Sequence, residues 1–243
     1  MSPDGQWIAF ETTVPPSLEQ PLGKRGIGVV QIDASGEQEL FSVSTGDCVR
    51  LLGWSSDSRN VLFAVVPACS ASISADGVAL RAVSLANPGA ATPPGPYVLF
   101  APDFVASSPK GKQLAVATGP NRMTWTSKSV VVIDLDTWIA TTLTDTSVSA
   151  FSPAWSPDGQ LIAYVSAPEA PQVVGGDPAK AAHGSAPYLV NECGRIGGSV
   201  SSRPTTHIAT RRQRWSPDGS WLLFTRLDGG RPSEPLGGTR SWR

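Results

Sequence analysis

The sequence predicts an all-β fold built from repeated antiparallel sheets, and three observations carry that prediction. A turn of the Ser-Pro-Asp-Gly type, exact in three copies and altered in two, recurs five times along 243 residues, each time followed by an apolar, strand-forming run. The stretches between these turns supply further β-branched strands, and none shows the apolar period of an amphipathic helix. Gly (24) and Pro (22) are frequent and spread along the chain, which suits many short strands joined by tight turns.

The first copy, Ser2-Pro-Asp-Gly, precedes Gln6-Trp-Ile-Ala-Phe10. The second, Ser55-Ser-Asp-Ser, precedes Arg59-Asn-Val-Leu-Phe63, and the third, Ser108-Pro-Lys-Gly, precedes Lys112-Gln-Leu-Ala-Val116. Ser156-Pro-Asp-Gly leads into Gln160-Leu-Ile-Ala-Tyr164, and Ser216-Pro-Asp-Gly into Ser220-Trp-Leu-Leu-Phe224. The turns thus lie at 2–5, 55–58, 108–111, 156–159 and 216–219, with serines 53, 53, 48 and 60 residues apart. Proline presets the first central position of a type I turn, Asp suits the next, and Gly tolerates the left-handed conformation that closes the hairpin. The following runs are apolar on both alternating faces, so each strand needs cover on both sides, as in a sheet stacked between sister sheets. Trp54, Trp155 and Trp215 stand directly before the turn serine, where a large ring can fill the space between sheets; the third copy has Ser107 there.

The spacers complete each unit. Gly26–Asp33 and Glu39–Val43 read as strands in the first, and Ser129–Leu135 followed by Ile139–Thr144 in the third, with Asp136-Thr137 starting the turn between them. About four strands per roughly 50 residues is the composition of a blade in a β-propeller. The expected fold is therefore a β-propeller of four-stranded antiparallel blades, with four to five blades present in residues 1–227 and an irregular tail over 228–243.

The pattern x-W-S-P-D-G-x-x-I-A-F/Y resembles the WD-repeat-like propeller repeat of the TolB family, which also occurs in propeller domains of prolyl-oligopeptidase-like enzymes. The copies at Ser2, Ser156 and Ser216 match it best; those at Ser55 and Ser108 have drifted. In such families the motif spans the innermost strand, its turn and the next strand. By that resemblance the chain starts after the innermost strand of its first blade, stops within its fifth, and is an incomplete part of a six- to eight-bladed ring.

No catalytic, metal or cofactor residues emerge. A serine hydrolase elbow, G-x-S-x-G, is absent; Gly198-Ser-Val-Ser201 comes nearest and lacks the second glycine. His183 and His207 are too few and too far apart for a metal cluster and read as surface residues. Asp4, Asp57, Asp158 and Asp218 recur in the turns, where Asp is favoured for local hydrogen bonding, and read as turn residues rather than a carboxylate ring. Gly23-Lys-Arg-Gly26 and Gly175-Gly-Asp177 match no phosphate-binding loop. Cys48, Cys69 and Cys193 fit no metal spacing; a Cys48–Cys69 disulfide is open, and two unrelated buried thiols is the preferred reading. Residues 167–187 form a long insertion between strands, a candidate recognition loop alongside the shorter 18–26 and 68–76.

Residues 192–214 show almost no strand pattern, and nine of fourteen arginines lie at or beyond Arg195 against three acidic residues. Three readings stand: a basic patch, a solvated loop, or a displaced reading frame, since codons can be chosen for 192–214 and 233–243 whose shifted frame yields strands of the repeat. A formal net charge of −1 weighs against nucleic acid.

Hydrophobic content of 40% with 16% charged residues is that of an ordinary soluble protein, and no apolar run is long enough to insert into a membrane. Met1 is followed by no basic or apolar leader segment, so a cytoplasmic location stays open. The family resemblance implies a periplasmic or cell-surface protein that binds a protein or peptide through its loops and central channel, and the lack of a nucleophile elbow, triad or metal-ligand cluster in the sequence gives the expectation that it is not an enzyme. Two alternatives accompany it: an accessory propeller of a prolyl-oligopeptidase-like serine peptidase whose catalytic domain is absent, and a truncated or frame-shifted remnant without independent function.

Overall fold

The computed structural model describes residues 1–70, 77–100, 102–119, 127–145, 147–168, 186–191, 196–199, 208–228 and 240–242. The chain is all-β, and its strands fall into five small antiparallel sheets taken in chain order. The first sheet holds β1 (Trp7–Val14), β2 (Lys24–Gln31) and β3 (Gln38–Val43). The second holds β4 (Cys48–Trp54), β5 (Asn60–Val66), β6 (Val78–Ser84) and β7 (Tyr97–Val98). The third runs β8 (Val105–Ser107), β9 (Gln113–Thr118), β10 (Ser129–Asp134) and β11 (Ala140–Thr142). The fourth has β12 (Val148–Trp155), β13 (Leu161–Pro168), β14 (Ala186–Asn191) and β15 (Ile196–Ser199). The fifth has β16 (Ile208–Trp215), β17 (Leu222–Asp228) and β18 (Arg240–Trp242). Every sheet is a simple meander, since strands successive in the chain are antiparallel hydrogen-bonded neighbours and no crossover intervenes.

The double-sided apolar runs explain how the sheets stack. Counting from each turn serine, the residues six and eight places on face the preceding sheet, and the residue seven places on faces the following one. Val61 and Phe63 pack with Ile27, Val29 and Leu40 of the first sheet. Leu62, between them, packs instead with Leu114, Val116, Val131 and Ile133 of the third. Ala115 joins Ile162, Tyr164 and Trp155 of the fourth. Strand alternation thus builds three successive apolar interfaces from one repeated pattern. Val61, Phe63, Leu114, Val116 and Ile162 are wholly buried, and each such side chain contributes about 1.5–3 kcal/mol.

The motif tryptophans lie between the sheets as expected. Trp54 sits in the first interface and Trp155 in the third, both buried. The indole of Trp155 donates to the Ala106 carbonyl at 3.1 Å, and that of Trp215 to the Ala154 carbonyl at 3.0 Å. Ala106 and Ala154 hold the same place in their repeats, two residues before the turn serine. In the third copy, Ser107 replaces the ring and its hydroxyl donates to the Trp54 carbonyl. A short donor preserves the link where the large side chain is lost.

Three expectations need correction. Cys48 and Cys69 are bridged, rather than separate buried thiols, with Cα atoms 4.8 Å apart. Cys48 pairs with Val66 across β4 and β5, and a 3-10 turn over Pro67–Cys69, left-handed at Ala68 and Cys69, folds the second sulfur back over the first. The stretch 192–214, poor in strand pattern, nevertheless contributes β15 and β16. The tail after 228 contributes β18, which pairs with β17. A neighbouring strand satisfies backbone donors and acceptors whatever the side-chain pattern, so ladder formation overrides weak local preference.

Candidate binding cavity

The recurrent turn is the smallest unit of the site. In the copies at Ser2, Ser55, Ser156 and Ser216 the hydroxyl donates to the Asp two residues on at 2.5–2.6 Å. The same hydroxyl accepts the backbone N–H five residues on at 2.9–3.0 Å, and the Asp accepts the N–H two residues beyond itself at 3.0–3.1 Å. The closing residue is left-handed throughout: Gly5, Gly111, Gly159 and Gly219, with Ser58 taking the glycine's place at φ 60°. Lys110 replaces the Asp in the third copy, and Ser108 turns its hydroxyl to the Lys110 carbonyl instead.

These bonds set the charge state of the carboxylates. The Ser216 hydroxyl, followed by Ser220, pulls Asp218 down to about 2. Ser2 lowers Asp4 and Ser156 lowers Asp158 in the same way. At Asp57 partial burial works the other way and is outweighed by the Ser55 hydroxyl and the Arg59 N–H. All four aspartates therefore serve their own turns, as the sequence predicts. Among the described residues no group of three or more His, Cys, Asp or Glu side chains could hold a metal ion.

Successive turns touch. The Asp4 N–H donates to the Ser58 hydroxyl at 3.0 Å, linking the first turn to the second, and Ser56 donates to the Gly111 carbonyl, linking the second to the third. Gly159 lies against the Lys110 side chain, and Gly219 against Pro157. The five motifs thus form one continuous arc.

The third, fourth and fifth motifs of that arc border a cavity of about 690 Å³ that runs along the first strands of sheets two to five. Its wall includes Gly53, Ala106, Ser152–Pro157 and Gln213–Pro217. Three of these strands bulge here, between Leu51 and Gly53, Phe151 and Ala154, and Arg211 and Arg214. A bulge breaks the ladder and re-aims local groups; Ser152 takes φ 50° within one. Gln213, only 4% exposed, donates through Nε2 to the Ser152 carbonyl at 3.2 Å. Its Oε1 has no hydrogen-bond partner among the described residues. The sequence does not flag Gln213 or Ser152, because their contact spans 61 residues and depends on two bulges.

His183, His207, Cys193, Ser201 and most of the 167–187 insertion lie outside the described residues, as does 71–76 of the loop at 68–76. The 18–26 segment is shorter as a loop than expected, since β2 begins at Lys24. Among the described residues no helix is long and apolar enough to cross a membrane.

No protein-family model matches the chain, and no curated protein matches it in sequence. In fold it is similar to TolB from Acinetobacter baumannii, with a TM-score of 0.55, 15% identity, and 93% of this chain on 48% of that one. It is similar to puromycin hydrolase at a TM-score of 0.54 and 16% identity, 96% of this chain covering 34% of that one. An oligogalacturonate lyase in complex with manganese gives 0.54 and 17%, with 95% of this chain on 58% of that one. The chain spans between about a third and somewhat over half the length of these proteins. At 15–17% identity these likenesses show a shared fold alone, one common to proteins as different as TolB, a puromycin hydrolase and a lyase.

Proposed function

We propose that residues 1–227 are consecutive blades of a β-propeller serving as the non-catalytic domain of a larger peptidase- or lyase-like protein. The carrying observation is the stack of five meander sheets, in which the first strands of the second to fifth sheets and the third, fourth and fifth turn motifs line one cavity. Partial coverage of longer proteins supports the same reading. In this role the propeller is a rigid wall that selects what reaches a neighbouring catalytic domain. The coding sequence on either side of the chain tests it: an in-frame G-x-S-x-G elbow, or a comparable catalytic segment, is the expected finding. Further Ser-Pro-Asp-Gly repeats ending in a stop, with no catalytic segment, would overturn the accessory role. The same sequence reads the codons of 192–214 and 233–243 and decides whether those segments are in their native frame.

A second reading, a free-standing TolB-like module that binds a protein or peptide, is favoured by the buried, unpartnered Gln213 Oε1 at the cavity. An acceptor left unmatched costs about 1–3 kcal/mol, and an N–H of a bound chain would satisfy it. For either reading the proposed location is periplasmic or cell-surface. The Cys48–Cys69 bridge supports it, because disulfides persist in oxidising compartments.

A further inference from the structure

Two irregularities meet at one point of the cavity wall, and the repeat shows that both are departures. Three places before the turn serine, the second, third and fourth copies carry Leu52, Val105 and Pro153, all lining the cavity. The fifth carries Gln213, an amide in an apolar place and only 4% exposed, whose Oε1 is unmatched among the described residues. Its Nε2 donates to the carbonyl of Ser152, the residue held left-handed at φ 50° within the neighbouring bulge. An unmatched buried acceptor and a strained non-glycine backbone both cost stability, and such costs gather where a ligand is gripped.

The chemistry around this point narrows what the ligand is. Oε1 asks for a donor, and the soft terminal torsion of a glutamine lets it turn to the cavity at little cost. Arg214 lines the same wall, exposed and in no ion pair among the described residues, and offers its guanidinium to an anion. The floor at Leu52, Val105 and Pro153 is apolar. We propose that the cavity takes the C-terminal end of a peptide whose last residue is apolar. The terminal carboxylate pairs with Arg214, a backbone N–H donates to Gln213 Oε1, and the last side chain lies over the apolar floor. Asp103, the other charged side chain of the lining, stands on the turn before β8 and disfavours the reversed orientation. This inference rests on the reading of the cavity as a peptide site, and adds which end of the peptide enters and how it is oriented.

Titration calorimetry on the purified chain tests it, with N-acetyl-Ala-Ala-Leu and with the same peptide amidated at its C-terminus. The free carboxylate is expected to bind about tenfold more tightly than the amide, the order of one charge-assisted hydrogen bond. Arg214→Gln, at an exposed position, is expected to abolish that preference and leave the affinity for the amide unchanged. Gln213→Leu, which installs the residue of the second copy, is expected to weaken both peptides and leave the preference intact. Circular dichroism melts show that each variant is folded, and Gln213→Asn serves should the leucine variant not fold. Equal affinity for the two peptides, or a preference that survives Arg214→Gln, would overturn this inference while the peptide-binding reading stands. Binding of neither peptide would overturn both. Acetate that displaces the free peptide at a similar concentration would show an anion contact only, and would overturn the inference as well.

Discussion

Asp218 shows how little of a recurrent pattern needs a ligand to explain it. Its carboxylate is fully exposed yet held at about 2, because the hydroxyls of Ser216 and Ser220 and the Ser220 N–H all donate to it. The ordinary carboxylate value is 3.8, so the folded state holds its proton less tightly than the unfolded chain does. The stabilisation is complete above the unfolded value and disappears as pH falls through the folded one. Asp218→Asn keeps the acceptor oxygen and removes the charge. The urea midpoint of the unmodified chain is therefore expected to exceed that of the variant at neutral pH, with the gap closing between about pH 4 and pH 2. A gap independent of pH would show that the charge contributes nothing. This role was legible in the sequence because every bond lies within five residues of Ser216. The Gln213–Ser152 bond was not, since no local pattern encodes it.

The second sheet carries the one covalent link among the described residues. Cys48 opens β4, and Cys69 ends the 3-10 turn after β5, 21 residues later. Asp47 secures that turn by accepting the Ala68 N–H at 2.9 Å. Cross-linking a loop of this length removes unfolded-state freedom worth about 3 kcal/mol. Cys48→Ala and Cys69→Ala are each expected to lower the unfolding free energy by about that amount. Adding reductant to the unmodified chain should lower its denaturation midpoint to a similar degree, and an unchanged midpoint would contradict a formed bridge. Sequence spacing could not decide the pairing, because it depends on strand register and on two consecutive left-handed residues, Ala68 and Cys69. The arginine-rich β16 escaped notice for a related reason. Its Arg-Arg-Gln-Arg run lacks an apolar face, and its ladder comes from the apolar β17 beside it.

At the scale of the whole molecule, stability follows from how many faces of each sheet are covered. The recurring turns and two-faced runs made this stacking readable in advance, whereas the bulges that shape the cavity are set by contacts between sheets. Stacked repeats behave as a line of units, each held by its own folding and by its neighbours. Among the described residues the second, third and fourth sheets have a neighbour on both sides, the fourth meeting the fifth through Gln213 and Trp215, whereas the first has one only on the side of Val49, Val61 and Phe63. Strands β2 and β9 make a fair comparison, since each lies between two partners in its own sheet. Val29 and Leu114 are both wholly buried, so local exposure does not distinguish them. Amide hydrogen exchange is therefore expected to be slower in β9 than in β2, because opening β9 must disrupt two apolar interfaces and opening β2 only one. Equal protection in the two strands would mean that the sheets fold and open as a single block, and the nearest-neighbour account of their stability would fail.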